Sequence, residues 1–293
     1  MNTLLAALLL LVSTSKEMDH LRSRILTEIA AYPDATVAVA YTHLGSGQTL
    51  FINEQAMMHA ASTMKVPVMI EVFKQAEAGK FQLTDSLLVR NEFKSIVDGS
   101  LFAMDIDDDS DESIYYRVGQ KMTIADLAYQ MITVSSNLAT NLLIELVSAK
   151  KVMVTMKEIG AQDIQVLRGV EDIKAYRAGK NNVTNARDLM LVMAAIARKQ
   201  VVSPAACDQM LEILFSQTFR DKIPRLLPAE TKVANKDGSI TEIEHDAAIV
   251  FPKDSQPYVI VVLTEGIKDS EAANNLIAKI SKLIFDFQSP SAN

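Results

Sequence analysis

The chain has 293 residues, a formal net charge of −7 from 29 Lys+Arg against 36 Asp+Glu, and 49% apolar residues. That is enough apolar material for one large domain or two modest ones, and too much for a disordered chain. An acidic balance with no basic run excludes the electrostatic footprint of a nucleic-acid binder, and neither a Walker loop nor a GxGxxG turn is present.

Residues 1–15 (MNTLLAALLLLVSTS) hold an apolar run from Leu4 to Val12, too short to span a bilayer, followed by the small residues Ser13, Thr14 and Ser15. This is the composition of a cleaved secretory leader with an n-region that lacks Lys and Arg; a buried N-terminal helix is the alternative. With a leader, the protein is expected to be periplasmic or secreted, with no membrane span after its removal, and monomeric. Next, Leu21, Ile25 and Ile29 recur at helical spacing. TVAVAYTH and TLFINE, parted by LGSGQ, then predict a hairpin.

From Ala60 to about Val202 the pattern is mostly helical, with candidates at TMKVPVMIEVFKQAEA, TIADLAYQMIT, LATNLLIELVS, KKVMVTMKEI and NARDLMLVMAAIARK. Thr123 with Asp126, and Thr184 ahead of Asp188, are expected N-caps. The acidic run DIDDDSDE at 105–112 lacks the Gly and Glu of a calcium loop and reads as a solvated loop. A helix near 204–215 contains Cys207, the only cysteine, which excludes an internal disulfide and reads as a core residue. Three strand-like runs follow (TKVANK, DAAIVF, PYVIVVLTEG), then a helix over roughly 269–286.

Strands at both ends with helices between predict an α+β chain. Its α/β domain (16–60 and 203–293) is expected to carry an antiparallel sheet built from both chain ends, with an inserted all-helical domain (61–202) and the active site between them. His20, His43, His59 and His245 share no metal-ligand spacing such as H-x-H or H-E-x-x-H, so a zinc hydrolase is disfavoured and no metal is expected.

Three short motifs carry the chemistry: Ser62-Thr63-Met64-Lys65, Ser135-Ser136-Asn137 and Lys236-Asp237-Gly238. If residue 62 opens a helix, Lys65 lies on the same face one turn on, beside the Ser62 hydroxyl. An amine in a dry cleft near other cations loses basicity and can take the serine proton. The Ser62 N–H and a second N–H, from Ser239 after the K-D-G motif, can form an oxyanion hole.

These motifs in this order resemble the class A β-lactamase family, over nearly the whole chain beyond the leader. ITVSSNLATNLLIE resembles that family's S-D-N helix, and VANKDG with DAAIV and PYVIVVLTEG its closing strands. The resemblance implies a serine hydrolase of β-lactam or related amides, with no cofactor. It implies Ser62 as the acylated residue, Lys65 as its proton partner and Ser135 as proton relay to the leaving nitrogen. It implies Asn137 for the acylamide side chain, and Lys236, Asp237, Gly238 and Ser239 on the substrate-binding strand. Glu171, with Asp172 behind it, is the candidate deacylating carboxylate. Ser136 replaces the family's aspartate, Asp237 its Thr or Ser, and Ala175 stands where it has Asn. A D-alanyl-D-alanine-type peptidase or esterase on the same scaffold, or a sensor that acylates without turnover, are the alternatives.

Overall fold

The computed structural model describes residues 2–288, with side chains from residue 16 onward. The leader expected at 1–15 lies outside the residues whose side chains are described. Among the described residues no helix is long and apolar enough to cross a membrane.

Helix α1 (Asn2–Ile29) leads into the expected hairpin, β1 (Thr36–His43) and β2 (Thr49–Ile52). The middle of the chain begins with β3 (Met58–His59), a 3-10 turn at Ala61–Met64 and α2 (Lys65–Glu77). It continues through β4 (Ser86–Leu88), β5 (Phe93–Lys94), β6 (Leu101–Phe102) and β7 (Lys121–Thr123). Helices α3 (Ile124–Thr133), α4 (Asn137–Val147), α5 (Ala149–Ile159) and α6 (Ile173–Arg177) follow, then β8 (Val183–Thr184) and α7 (Ala186–Ala197). The chain closes with α8 (Pro204–Phe215), β9 (Lys232–Ile240), β10 (Ile243–Phe251), β11 (Tyr258–Glu265) and α9 (Ser270–Gln288).

The two chain ends form one antiparallel sheet of order β2-β1-β11-β10-β9, joined where Val39 pairs with Val262. This is a mixed α+β fold with an antiparallel sheet and a helical body. The inner strands read as continuous apolar runs because both their faces are covered. Val37, Val39, Tyr41, Ile260 and Val262 face Leu21 and Ile25 of α1 and Leu276, Ile277 and Ile280 of α9. Ala38, Ala40, Ala247, Val261 and Leu263 share the other core with the helical body. The alanines leave room for α7, which packs directly on β1, β10 and β11.

Three details differ from expectation. The segment expected to be all-helical also carries the short ladders β4–β7 and β5–β6, and its β8 pairs with β3 just ahead of the segment; these two- and three-residue strands are too brief to show an alternating pattern. Strand β9 does not stop at Lys236 but pairs with β10 as far as Ile240, so Lys236-Asp237-Gly238 lies mid-strand. Thr123 caps α3 as expected, accepting the Asp126 N–H at 3.0 Å. The cap of α7, however, is Asn185, whose Oδ1 accepts the Asp188 N–H at 2.7 Å, while Thr184 is held in β8. Asn185→Ala should therefore lower stability by about 1 kcal/mol in urea unfolding. An unchanged midpoint would show that this cap contributes nothing.

Candidate active site

The chain enters the site from β3 under constraint. Ala61 sits at φ +44, a left-handed conformation that a residue with a Cβ keeps only when its surroundings impose it. Here the Ala60 N–H donates to Asn182 O (2.8 Å), the Ala61 N–H to His59 Nδ1 (3.1 Å) and the Thr63 hydroxyl to Ala60 O (2.6 Å). The result is a short 3-10 turn that presents Ser62, half-buried, just ahead of α2. His59 spends its Nδ1 on this turn and thus holds the strained backbone. Strand β9 lies against the same turn. A Cβ added at Gly238 would stand 3.0 Å from the Ser62 nitrogen and 3.1 Å from Ala61 Cβ, so glycine lets the strand come this close without displacing the turn.

One turn into the motif, Lys65 is fully buried, and its Nζ has four oxygens around it. It donates to Ser135 O at 2.6 Å and Asn137 Oδ1 at 2.8 Å, and meets Ser62 Oγ and Ser135 Oγ at 3.1 Å each. The two shortest partners can only accept, whereas the two hydroxyls can also donate. A neutral amine satisfies this set: two N–H bonds to the carbonyl oxygens, and a lone pair left for a hydroxyl proton. Burial, and after it the Lys236 charge, lower the Lys65 pKa to about 7 against the opposing pull of Asp109, Asp237 and Glu171.

The second motif is a turn between α3 and α4, with Ser135 at φ +58. Ser136 caps α4 by accepting the Ala139 N–H at 3.3 Å. Beside it, the buried Asp109 accepts the Asn137 and Leu138 N–H groups, both at 2.9 Å, and the Tyr115 hydroxyl at 3.1 Å. A carboxylate at this helix N-terminus is stabilised by the unpaired amides and by the macrodipole. The DIDDDSDE segment is therefore not simply solvated: Asp109 and Asp111 turn inward, while Asp107 and Asp108 stay exposed at the cleft. Nothing in the local sequence distinguished Asp109 from its neighbours.

Asn137 links the lysine to the loop after α5, its Nδ2 donating to Glu171 Oε1 at 3.2 Å. Glu171 Oε2 also accepts the Asp105 N–H at 3.3 Å. Burial, helped by the charges of Asp109 and Asp108 and opposed by those two hydrogen bonds, raises the Glu171 pKa. The loop is pinned by Asn141, which accepts the Val170 N–H at 2.7 Å and donates to Val170 O at 3.0 Å. Asp172 faces away. It accepts from Ser95 Oγ, Ile96 N and Ala175 N, capping α6 and tying it to the β5–β6 hairpin.

In the third motif Lys236 is fully buried and donates to Asp237 Oδ1 at 2.7 Å and Asp237 O at 2.9 Å. A second buried cation, Lys222, was not singled out in the sequence; it is a lone lysine in a loop. Its Nζ is 2.7 Å from Glu244 Oε2, 2.8 Å from Ser239 Oγ and 3.4 Å from Asp237 Oδ2. Burial alone would raise the Asp237 pKa, but the charges of Lys236 and Lys222 outweigh it and hold the carboxyl below its ordinary range. Asp246, fully buried behind them, is raised to about 6 by burial and by the nearby Asp237.

Ser62, Asn137, Glu171 and Ser239 line a cleft of about 900 Å³. Ser62, Ser135, Asn137, Asp237 and Ser239 line an adjoining hollow of about 380 Å³. Lys65 reaches this space through Ser62 and Ser135, Lys236 through Asp237, and Gly238 through its contact with the serine turn. The fold thus gathers every residue that the three motifs nominated, together with Glu171.

A model of the β-lactamase enzyme family matches residues 20–288. The chain is 28% identical over 175 residues to the β-lactamase AST-1 of Nocardia asteroides, a match spanning 58% of this chain and 56% of that protein. It is 23% identical over 256 residues to a β-lactamase of Rhodobacter capsulatus, covering 85% and 81% of the two chains. Among solved structures, the β-lactamase of Sphaerobacter thermophilus superposes with a TM-score of 0.78 at 25% identity, covering 92% of this chain and 99% of that one. A mutant of PBP-A, solved as an acyl-enzyme complex with penicillin G, shares the fold with a TM-score of 0.78 at 24% identity, covering 92% and 96%. Fold and relatives place the chain among proteins of the β-lactamase type. The chain belongs to the β-lactamase enzyme family.

Gly238→Ala should leave the protein folded while pushing β9 off the serine turn. Reactivity of Ser62 toward an acylating probe should then fall on the order of 10- to 100-fold. Unaltered reactivity would mean that the contact is not needed.

Proposed function

We propose that this chain is a class A-like serine hydrolase, acylated at Ser62, that opens the amide bond of a β-lactam or a related substrate. The observation that carries the reading is the Lys65 Nζ at 3.1 Å from Ser62 Oγ, in a dry cage that favours the neutral amine. The neutral amine takes the Ser62 proton as Oγ attacks the carbonyl carbon. The Ser62 and Ser239 N–H groups stabilise the developing oxyanion. When the C–N bond breaks, the nitrogen receives a proton from Lys65 through Ser135, whose hydroxyl is 3.1 Å from Nζ. Glu171, with its raised pKa, then takes a proton from water as that water attacks the ester carbon; when the Oγ–C bond breaks, this proton passes to Ser62 Oγ, releasing product and restoring both residues. Asn137 orients the acyl side chain and couples Lys65 to Glu171. The site would lie between a sheet domain (16–60 and 203–293) and a helical domain (61–202), in a monomeric protein exported through its leader.

Intact mass after exposure to penicillin tests the nucleophile: the wild type should gain one penicilloyl adduct and Ser62→Ala none. An adduct on Ser62→Ala would refute the assignment. Because the reactive form is the neutral amine, acylation should rise with pH through about 7 and level off above it; a flat profile from pH 5 to 9 would exclude Lys65 as the base. Glu171→Gln should keep acylation and slow adduct loss by about 10²-fold or more. Adduct decay equal to the wild type would rule out Glu171.

A second reading, acylation with little turnover, is favoured by the engagement of Lys236 with Asp237. A stoichiometric burst without sustained nitrocefin hydrolysis, or release of D-alanine from a peptide instead, would select the sensor or the peptidase.

A further inference from the structure

This inference rests on the acyl-hydrolase reading of Ser62 and concerns the charge of the molecule the cleft accepts. Two cations lie buried on the β9 side of the serine, Lys236 and Lys222, and both are held by carboxylates, whereas the exposed Lys232 and Arg220 sit at the far end of the strand, by Val233. Lys236 donates both to the carboxylate and to the carbonyl of Asp237. Lys222 is 2% exposed and is bound by Glu244, Asp237 and Ser239, with Gly238 O and His245 O at 3.3 and 3.4 Å completing its shell. The Asp237 carboxylate, clamped between the two amines, fills the place in which an incoming anion could be held. For a substrate carboxylate to bind there it must displace a buried ion pair and leave Asp237 uncompensated, which is far costlier than displacing water.

The opposite wall and the mouth add negative charge. Asp107, Asp108 and Asp221 are exposed and line the same hollow as Ser62, above the buried Asp109. Among the described residues the side chains of Asp107 and Asp108 have no hydrogen-bond or ion-pair partner, so their charges act outward. Asp221 is steadied by Asn274 Nδ2 at 2.7 Å. Among the described residues of this hollow five carboxylates face one cation, the engaged Lys222, and the Arg168 of the wider cleft is turned onto Lys180 O, Gly169 O and Asn181 Oδ1. Such an excess of one sign in a low-dielectric cleft selects the opposite sign in the approaching molecule.

We propose that the physiological substrate presents no carboxylate toward Asp237 and carries an ammonium group directed at Asp107, Asp108 and Asp221. The class is a cationic amide, lactam or ester. Acylation then proceeds as above: the Ser62 Oγ–C bond forms, the leaving C–N or C–O bond breaks, and the leaving atom takes the proton from Lys65.

Three penicillins that differ only at the carboxylate test this: benzylpenicillin, its methyl ester and its 2-(diethylamino)ethyl ester. Second-order acylation rates of full-length protein are compared at low and high ionic strength. A fluorophosphonate probe, mapped to its site by mass spectrometry, separately reports whether Ser62 is a nucleophile. The cationic ester should react fastest and benzylpenicillin slowest, with about a tenfold spread at low salt that shrinks at high salt. Asp107→Asn and Asp108→Asn, at exposed positions, should each reduce the advantage of the cationic ester over the methyl ester. Asp237→Thr should selectively accelerate benzylpenicillin. Labelling of Ser62 combined with benzylpenicillin as the fastest substrate, or with a ranking unmoved by the three substitutions, overturns the inference and leaves the hydrolase reading standing. Failure of the probe to label Ser62 overturns both.

Discussion

The burial of one amine governs this site. Lys65 lies wholly out of water, so its charged form loses hydration, and the nearby Lys236 disfavours that form further. The surroundings offset the loss only in part, with three carboxylates at a distance and four oxygens in contact. Every other element can be read as a means of keeping the cage dry and its oxygens in place. The strained Ala61 sets the serine, Asp109 and Ser136 fix the turn that supplies Ser135 and Asn137, and Gly238 lets a strand close the remaining side.

A second buried set, Lys236, Asp237, Lys222 and Glu244, is balanced differently. Here opposite charges are matched within the protein, and both lysines keep carboxylate partners. Pairs buried to this degree add little net stability compared with apolar packing, but breaking one is expensive. Among the described residues, the site therefore combines an amine with no carboxylate in contact and amines that each touch at least one. The first suits proton transfer, and the second gives a fixed electrostatic background.

The elements whose burial is continuous were the most legible in the sequence. VAVAY, AAIV and YVIVVL announce covered strands because no polar residue interrupts them, and the spacing of Ser62 and Lys65 fixes their common face. Legibility ended where tertiary contacts override local chemistry. Asp237-Gly238 has the composition of a turn, yet pairing with His245 and Asp246 keeps it in a strand. Thr184 is a good cap by composition, but its pairing with Met58 commits it to a ladder, and Asn185 takes the role. Lys222 and Asp109 gain their meaning only from residues distant in the chain, so neither local spacing nor composition could mark them.

The position of β9 has one more consequence. The five-stranded sheet has two margins, the four-residue β2 and the nine-residue β9. A long, mostly buried margin of this kind is a template for unwanted pairing between molecules unless something covers it. Here the serine turn, pressed onto Gly238, helps provide that cover. The segment that presents Ser62 thus also guards the sheet, and chains in which it comes loose are at risk of precipitating as well as of disordering the site.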